Sequence, residues 1–310
     1  MTSLAAASLV FGQGGTEQAL RMSSDAALSM HYLIVIDGKH AGWAHPPVQK
    51  PGDALITPYQ DKIIIMAGAG MSAGFYDWIQ SSFDNGHIMK SGEIHACDVD
   101  YNSLSIAEFT NAMITEITLP ALDGSSKEPA YMKITLSPET ITYKKGDGKK
   151  VEGKVAPATK KWLSSNFRME IGDLPCTRVT AVKIPRFTSR ATRTVMKDDA
   201  KLNPRLVFQA GRVLVDPVLS VAQNFELTLP MRDWDAWEKW MTSTQLLRSQ
   251  LKDGSITVMN ADGTNGYIMR LHDVSIVAMS VQAENINIED ATTFVVELQY
   301  RETVLNFIHR

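Results

Sequence analysis

Apolar and polar positions alternate with a period of two near the end of each half of the chain. The segments are MKITL at 132–136 and FVVEL at 294–298, in which every second side chain is apolar. Successive side chains of a strand point to opposite faces, so this period predicts β-strands with one buried face. Shorter apolar runs, HYLIVI at 31–36 and NFRMEI at 166–171, predict one earlier strand in each half.

Each half also contains one segment with helical periodicity. The apolar stripes of these segments are formed by Phe75, Trp78, Ile79 and Phe83 in the first half and by Trp234, Trp237 and Met241 in the second. The spacing of three and four residues predicts an amphipathic helix that buries one face. Asp233 stands just before the second stripe, where an aspartate can cap a helix.

The two halves are copies of one another. After a shift of 162 residues, Phe75–Ile141 lies on Trp237–Thr303 without a gap, and ten of the 67 positions are identical. Composition alone gives roughly four identities. The conserved pairs include Trp78 and Trp240, Lys90 and Lys252, Gly92 and Gly254, Ile94 and Ile256, Ile114 and Ile276, and Leu136 and Leu298. The apolar positions coincide as well, which predicts a repeated fold.

The predicted fold class is mainly β (α+β), with two tandem antiparallel β-barrel or sandwich domains that each carry one packed helix. The predicted divisions are an N-terminal arm at 1–23, domains at 24–143 and 162–310, and a linker at 144–161. The linker holds seven lysines and two acids and cannot bury much surface, although a charged loop inside one domain is the alternative. An insertion at about 188–217 lengthens the second domain.

Charge and cysteine content exclude several classes of protein. The chain has 31 basic and 34 acidic residues and a net charge of −3, which gives no general attraction to nucleic acid or anionic membranes. Cys97 and Cys176 are too few to staple the fold and are expected to be reduced thiols. No membrane anchor is expected, because no apolar run reaches about 18 residues. The absence of Lys or Arg before Arg21 favours an arm over a secretory signal.

One glycine-rich segment imitates a nucleotide site. In KIIIMAGAGMSAG, at 62–74, a strand-like run meets Gly68, Gly70 and Gly74 before the first helix, as in a dinucleotide fingerprint. The second copy has LPMRDWDAW in the same place, without glycine. We therefore expect a strand-to-helix connection and no cofactor, and a nucleotide-binding enzyme that uses the turn at 68–74 remains an alternative.

Two weaker patterns imitate metal sites. Asp98, Asp100 and Asn102 resemble the opening of a calcium loop, but Ser103 stands at the position that requires glycine, so a hairpin turn is expected. His40 and His45 form a pair without a third ligand. No catalytic residue and no metal ligand is predicted.

The ordered segments of both copies resemble the tail-tube family of contractile phages and related contractile injection systems. In the first copy they are HYLIVIDGKHAGW, GFYDWIQSSFDNG, SIAEFTNAMITEITLPALDGSS and AYMKITLSPETITY. In the second copy they are NFRMEIGDLPCTRVTAVKIPRF, DWDAWEKWM and YIMRLHDVSIVAMSVQAENINIEDATTFVVELQYRE. The resemblance covers Ser24–Tyr143 and Trp162–Arg310.

The resemblance implies a structural subunit, not an enzyme, whose rings stack into a tube. Members usually have one such domain, and two here imply six domains per ring, as a trimer or a two-tier hexamer. DNA or effector protein would pass through the lumen without specific binding. Sheath and baseplate proteins would be partners, in a virion tail assembled in the bacterial cytoplasm. A hub, tube initiator or terminator of the same machine is the nearest alternative.

The insertion is the candidate contact between subunits. Between Thr188 and Pro217 it carries six basic residues and three acids. A loop of this length in a compact domain usually has a partner. Its basic side chains are predicted to pair with carboxylates across a subunit contact, unless the segment is a solvated hairpin. The candidate residues are Arg190, Arg193, Lys197 and Arg205.

Overall fold

Within its described residues the chain is mostly β-strand, with two large antiparallel sheets, one of them nearly barrel-shaped, a separate pair of short strands and two α-helices. The computed structural model describes residues 31–44, 56–57, 62–84, 88–151, 162–184, 186–188, 208–209, 212–213, 224–246, 250–282 and 292–308. The predicted mainly-β class with one helix per repeat is therefore confirmed.

The first repeat forms a sheet in the order β2-β1-β5-β6-β8-β4-β3, and β9 pairs with the long strand β6. Its elements are β1 (His31–Ile36), β2 (Lys39–Ala44), β3 (Ile56–Thr57), β4 (Lys62–Ala67), α1 (Ala73–Asp84), β5 (Lys90–Cys97), β6 (Ser103–Thr118), β7 (Leu122–Asp123), β8 (Met132–Ser137) and β9 (Thr140–Lys145). One half of β6 pairs with β5 and β9, and the other half pairs with β8. The bent strand therefore belongs to both parts of the sheet and joins them.

The second repeat has the sheet order β10-β16-β17-β18-β15-β11, and β19 pairs with β17. Its elements are β10 (Trp162–Ile171), β11 (Ala181–Lys183), β12 (Arg186–Thr188), β13 (Phe208–Gln209), β14 (Arg212–Val213), β15 (Phe225–Pro230), α2 (Trp234–Leu246), β16 (Lys252–Asn260), β17 (Asn265–Gln282), β18 (Thr293–Gln299) and β19 (Glu302–Phe307). Strands β13 and β14 pair only with each other.

The duplication seen in the sequence reappears in the strand register. Ile114 pairs with Leu136 in the first repeat, and Ile276 pairs with Leu298 in the second. A bulge follows both pairs, at the same position of β6 and β17. Strand β18 buries every second side chain, as the period of two predicts, and β8 buries Met132, Ile134 and Leu136 in the same way together with Thr135.

The identical glycines are fixed by a close approach of two strands. A Cβ atom on Gly92 would lie 2.1 Å from the carbonyl oxygen of Val35 and 2.8 Å from the Phe109 ring. A Cβ atom on Gly254 would lie 2.6 Å from the carbonyl oxygen of Glu170. None of these distances is compatible with a side chain. Glycine is therefore retained in both copies, where β5 pairs with β1 and β16 pairs with β10.

The identical tryptophans close the loop after each helix. The indole Nε1 of Trp78 donates to the carbonyl oxygen of Ile88 at 2.8 Å, and that of Trp240 donates to Gln250 at the same distance. Both rings are buried, and a buried indole N–H usually finds an acceptor. The pair therefore serves the fold of each repeat.

The predicted linker differs from the structure in its first eight residues. Lys144 and Lys145 belong to β9, and the backbone N–H of Val151 donates to the carbonyl oxygen of Tyr101 at 2.9 Å. The lysine side chains stay in water while their backbone completes the sheet edge, so a lysine-rich composition did not prevent pairing. Residues 152–161 and the arm at 1–23 lie outside the described residues, and the predicted domain division stays a prediction.

Replacing Gly92 with alanine is expected to lower the free energy of unfolding by about 1–3 kcal/mol, because the new methyl group overlaps a neighbouring backbone. Gly74→Ala is the matched control: a Cβ there meets nothing within 4 Å, and alanine in a helix is worth up to about 1 kcal/mol over glycine. Urea titration of both variants measures the difference. Equal stabilities would contradict the close approach.

Candidate functional site: the contact between the two repeats

The two repeats exchange strands. From the first repeat, β7 pairs with β11 of the second, with Leu122 opposite Val182. From the second repeat, β12 pairs with β6 of the first, with Phe187 opposite Ile117. All four side chains are buried. The second sheet thus ends in a strand supplied by the first repeat, and a strand of the second repeat pairs with one end of β6, which joins the repeats side by side.

A further stretch of the first repeat runs along the start of β10. The backbone N–H of Ala130 donates to the carbonyl oxygen of Trp162 at 2.8 Å, and that of Ser164 donates to Glu128 at 3.1 Å. The exchange therefore uses most of the connection between β6 and β8. The buried residues of both repeats form one contiguous apolar cluster.

Aromatic side chains fill the contact between α1 and the second repeat. The ring of Tyr76 stacks on Phe307 of β19, with 4.5 Å between centroids, and lies 5.9 Å from Trp162. Trp162 packs edge-on against Tyr267 at 5.0 Å. The Tyr76 hydroxyl donates to the carbonyl oxygen of Gly68. Burial raises the pKa of Tyr76 above its ordinary value, so the phenol stays protonated.

A cavity of about 210 Å³ lies at this contact. It is lined by Ala69, Met71, Ala73, Tyr76, Trp162, Asn260, Thr264, Asn265, Gly266, Phe307 and Ile308. Tyr76 is the one titratable side chain in this lining, and its raised pKa makes it a poor acid or base at neutral pH. Within the described residues, the Trp162 Nε1 has no hydrogen-bond partner. The lining of this cavity therefore contains no side chain suited to acid–base catalysis at neutral pH.

The glycine-rich turn closes the first sheet. The backbone N–H of Ser72 donates to the carbonyl oxygen of Ala41 at 2.7 Å, and Met71 bridges to Gly42. Gly42 has φ of 126°, and a Cβ there would lie 2.8 Å from the Gly70 oxygen. The turn at 68–74 is thus the predicted strand-to-helix connection, and its backbone packs against β2.

The turn at Asp98 is a hairpin turn, as predicted. Its carboxylate accepts hydrogen bonds from the side chain of Asn102 at 2.9 Å and from the backbone N–H groups of Asn102 and Asp100 at 2.8 and 2.9 Å. The Asn102 side chain and these N–H groups hold the pKa of Asp98 below its usual value. The carboxylate oxygens therefore organise the loop between β5 and β6.

Cys97 and Cys176 are free and buried, and burial raises the pKa of each thiol to about 11, so neither carries much thiolate at neutral pH. His40 lies in β2, whereas His45 is outside the described residues. Over the described ranges, no cluster of three or more His, Cys, Asp or Glu side chains is placed to hold a metal.

The strands that join the two repeats were not predicted from the sequence. Arg190, Arg193, Lys197 and Arg205 lie outside the described residues, so their predicted contact stays a prediction. The insertion begins at Thr188, which ends β12 on the edge of the other repeat. The partner strands β7 and β12 are only two and three residues long, too short to show a period.

Asp233 has a different role from the predicted helix cap. Helix α2 begins directly after it, at Trp234. Its buried carboxylate accepts hydrogen bonds from Arg178, including one from the Nε at 3.0 Å. The hydrogen bond to Asp233 raises the pKa of Arg178. The aspartate thus ties the start of α2 to the loop before β11.

No family model matches the sequence, and no curated protein matches it. Among the described residues, no helix is both long and apolar enough to cross a membrane.

Tyr76→Ala is expected to lower the free energy of unfolding by about 3–5 kcal/mol, because the aromatic contact between the repeats loses its centre. Tyr76→Phe keeps the ring and loses one hydrogen bond, which costs about 1 kcal/mol. Denaturant unfolding followed by tryptophan fluorescence measures both. If Tyr76→Ala were no more destabilising than Tyr76→Phe, the stacking on Phe307 would not hold the repeats together.

Proposed function

We propose that this chain is a structural subunit of a phage tail tube, or of a related contractile injection tube, in which rings of repeats stack around a channel. The observation that carries the proposal is the side-by-side exchange of strands between two copies of one fold. The wall of a ring needs a contact of this kind between every pair of neighbouring repeats. The family resemblance of both copies supports the same assignment.

The outer edge of the second repeat supports continuation of the wall. On the first repeat, Ile117 is 0% exposed because β12 covers that end of β6. The equivalent residue of β17, Met279, is half-buried, and Val277, two residues earlier, is 40% exposed. No described strand pairs with this edge of β17 opposite β18. Exposed strand edges of this length are sites of pairing with another chain.

A contact that uses different surfaces on its two sides generates a closed ring or an open filament when it is repeated. The first repeat offers the β6 edge and α1, and the second offers β12 and β19. Because the two repeats already stand side by side, we favour three chains per ring over a two-tier hexamer. DNA or effector would pass through the lumen, and sheath and baseplate proteins would surround the tube in the virion tail.

Negative-stain electron microscopy of the purified full chain, over a range of concentrations, tests the proposal. Stacked rings support the tube subunit, and isolated rings point instead to a hub, initiator or terminator of the same machine. Small separate particles at all concentrations contradict both. Native mass spectrometry of the rings separates three chains from six.

Val277→Asp is expected to weaken assembly tenfold or more and to leave the fold intact. The side chain is exposed in the single chain and would be desolvated at the proposed contact, where an unpaired charge is costly. Val99→Asp is the matched control, because Val99 is 57% exposed in the turn after β5. Sedimentation velocity measures assembly and circular dichroism measures folding. Equal assembly of the two variants would remove the β17 edge from the contact.

A further inference from the structure

The chain contains one example of a helix docked on the next repeat. Ala73 and Tyr76 of α1 face β19, where Tyr76 stacks on Phe307. This contact is directional: the helix of the first repeat meets the last strand of the second. Its counterpart would place α2 against the last strand of a following repeat, which only a second chain can supply.

The repeat offset of 162 residues identifies the side chains that would meet where α2 contacts β9 of a second chain. Asp235 and Glu238 of α2 stand where Ala73 and Tyr76 stand in α1, and Lys145 of β9 stands where Phe307 stands in β19. All three side chains are exposed in the single chain. Asp235 and Glu238 are three residues apart and so share one face of the helix.

The charges on the two surfaces are complementary. Lys144, next to Lys145, pairs with Glu108 of its own sheet, with 2.5 Å between Nζ and Oε1. Within the described part of the chain, neither Lys145 nor Glu238 makes an ion pair. The helix face thus carries two acids beside the exposed Lys239, and the strand end offers a lysine without an ion-pair partner among the described residues.

We propose that the acidic face of α2 docks on the end of β9 in a second copy of this chain, with Glu238 and Asp235 directed at Lys145. The inference rests on the proposed ring assembly and names the contact that joins one chain to the next. Charges suit this contact because both surfaces face water before assembly. An aromatic cluster like that at Tyr76 would leave an apolar patch prone to aggregation on the free chain.

Charge reversal on the full chain tests the contact. We expect Glu238→Lys and Lys145→Glu each to weaken assembly about tenfold or more, because like charges then face each other. The double variant Glu238→Lys/Lys145→Glu is expected to recover to within about threefold of the unmodified chain. Glu170→Lys makes the same charge change on an exposed strand residue outside these surfaces and should assemble normally. Circular dichroism checks that all variants fold.

Mixing the two single variants gives a second readout. Each α2 then meets a β9 of opposite charge on the other variant, so the mixture should form pairs of unlike chains that neither variant forms alone, whereas a closed ring of three chains would still contain one like-charge contact. Rings that assemble equally well from both single variants and from Glu170→Lys would overturn the contact and leave the proposed tube intact. An unmodified chain that stays monomeric would overturn the ring assembly itself. Single variants that fail without rescue in the double variant would also overturn the pairing.

Discussion

The long bent strand of each repeat has more backbone hydrogen-bonding groups than its own repeat can pair. Strand β6 pairs with β5, β9 and β8 of its own repeat, and the remaining edge near Thr118 is paired only because β12 arrives from the second repeat. A buried backbone N–H or carbonyl without a partner costs free energy, so this edge must be paired or left in water. The side-by-side arrangement of the repeats meets this requirement, and the same requirement applies to the end of β17, which among the described strands pairs with β18 alone.

The features that repeat in the sequence proved to be those that one repeat needs for itself. Gly92 and Gly254 permit two strands to approach, and Trp78 and Trp240 close the loop after each helix. Such positions tolerate few substitutions, so they survived as identities that a gap-free shift could detect. The period of two in β8 and β18 was visible for the same reason, because each of these strands has one face committed to the core.

The contact between the repeats could not be predicted in the same way. Its strands β7 and β12 are short, and they pair with β11 and β6, whose residues lie about 60 to 70 positions away in the sequence. Neither pairing leaves a pattern that recurs in the other repeat. The aromatic cluster was visible only as scattered apolar residues, since Tyr76 and Phe307 are 231 positions apart in the sequence. The lysine-rich start of the predicted linker was misleading, because composition reports on side chains while β9 forms through its backbone.

The bends of β6 and β17 explain how such thin identity preserves one fold. Asn111 and Asp273 occupy equivalent positions with φ of 46° and 54°, a left-handed conformation that asparagine and aspartate tolerate better than most residues. The Asn111 amide donates to Glu139, whereas the Asp273 carboxylate faces Arg301, so donor and acceptor have changed sides. The backbone conformation at the bend is thus the same in both repeats, while the donor and the acceptor of the side-chain pair are interchanged. The contact proposed between chains would make a comparable exchange, from the stacking of Tyr76 on Phe307 within the chain to opposite charges on α2 and β9 between chains.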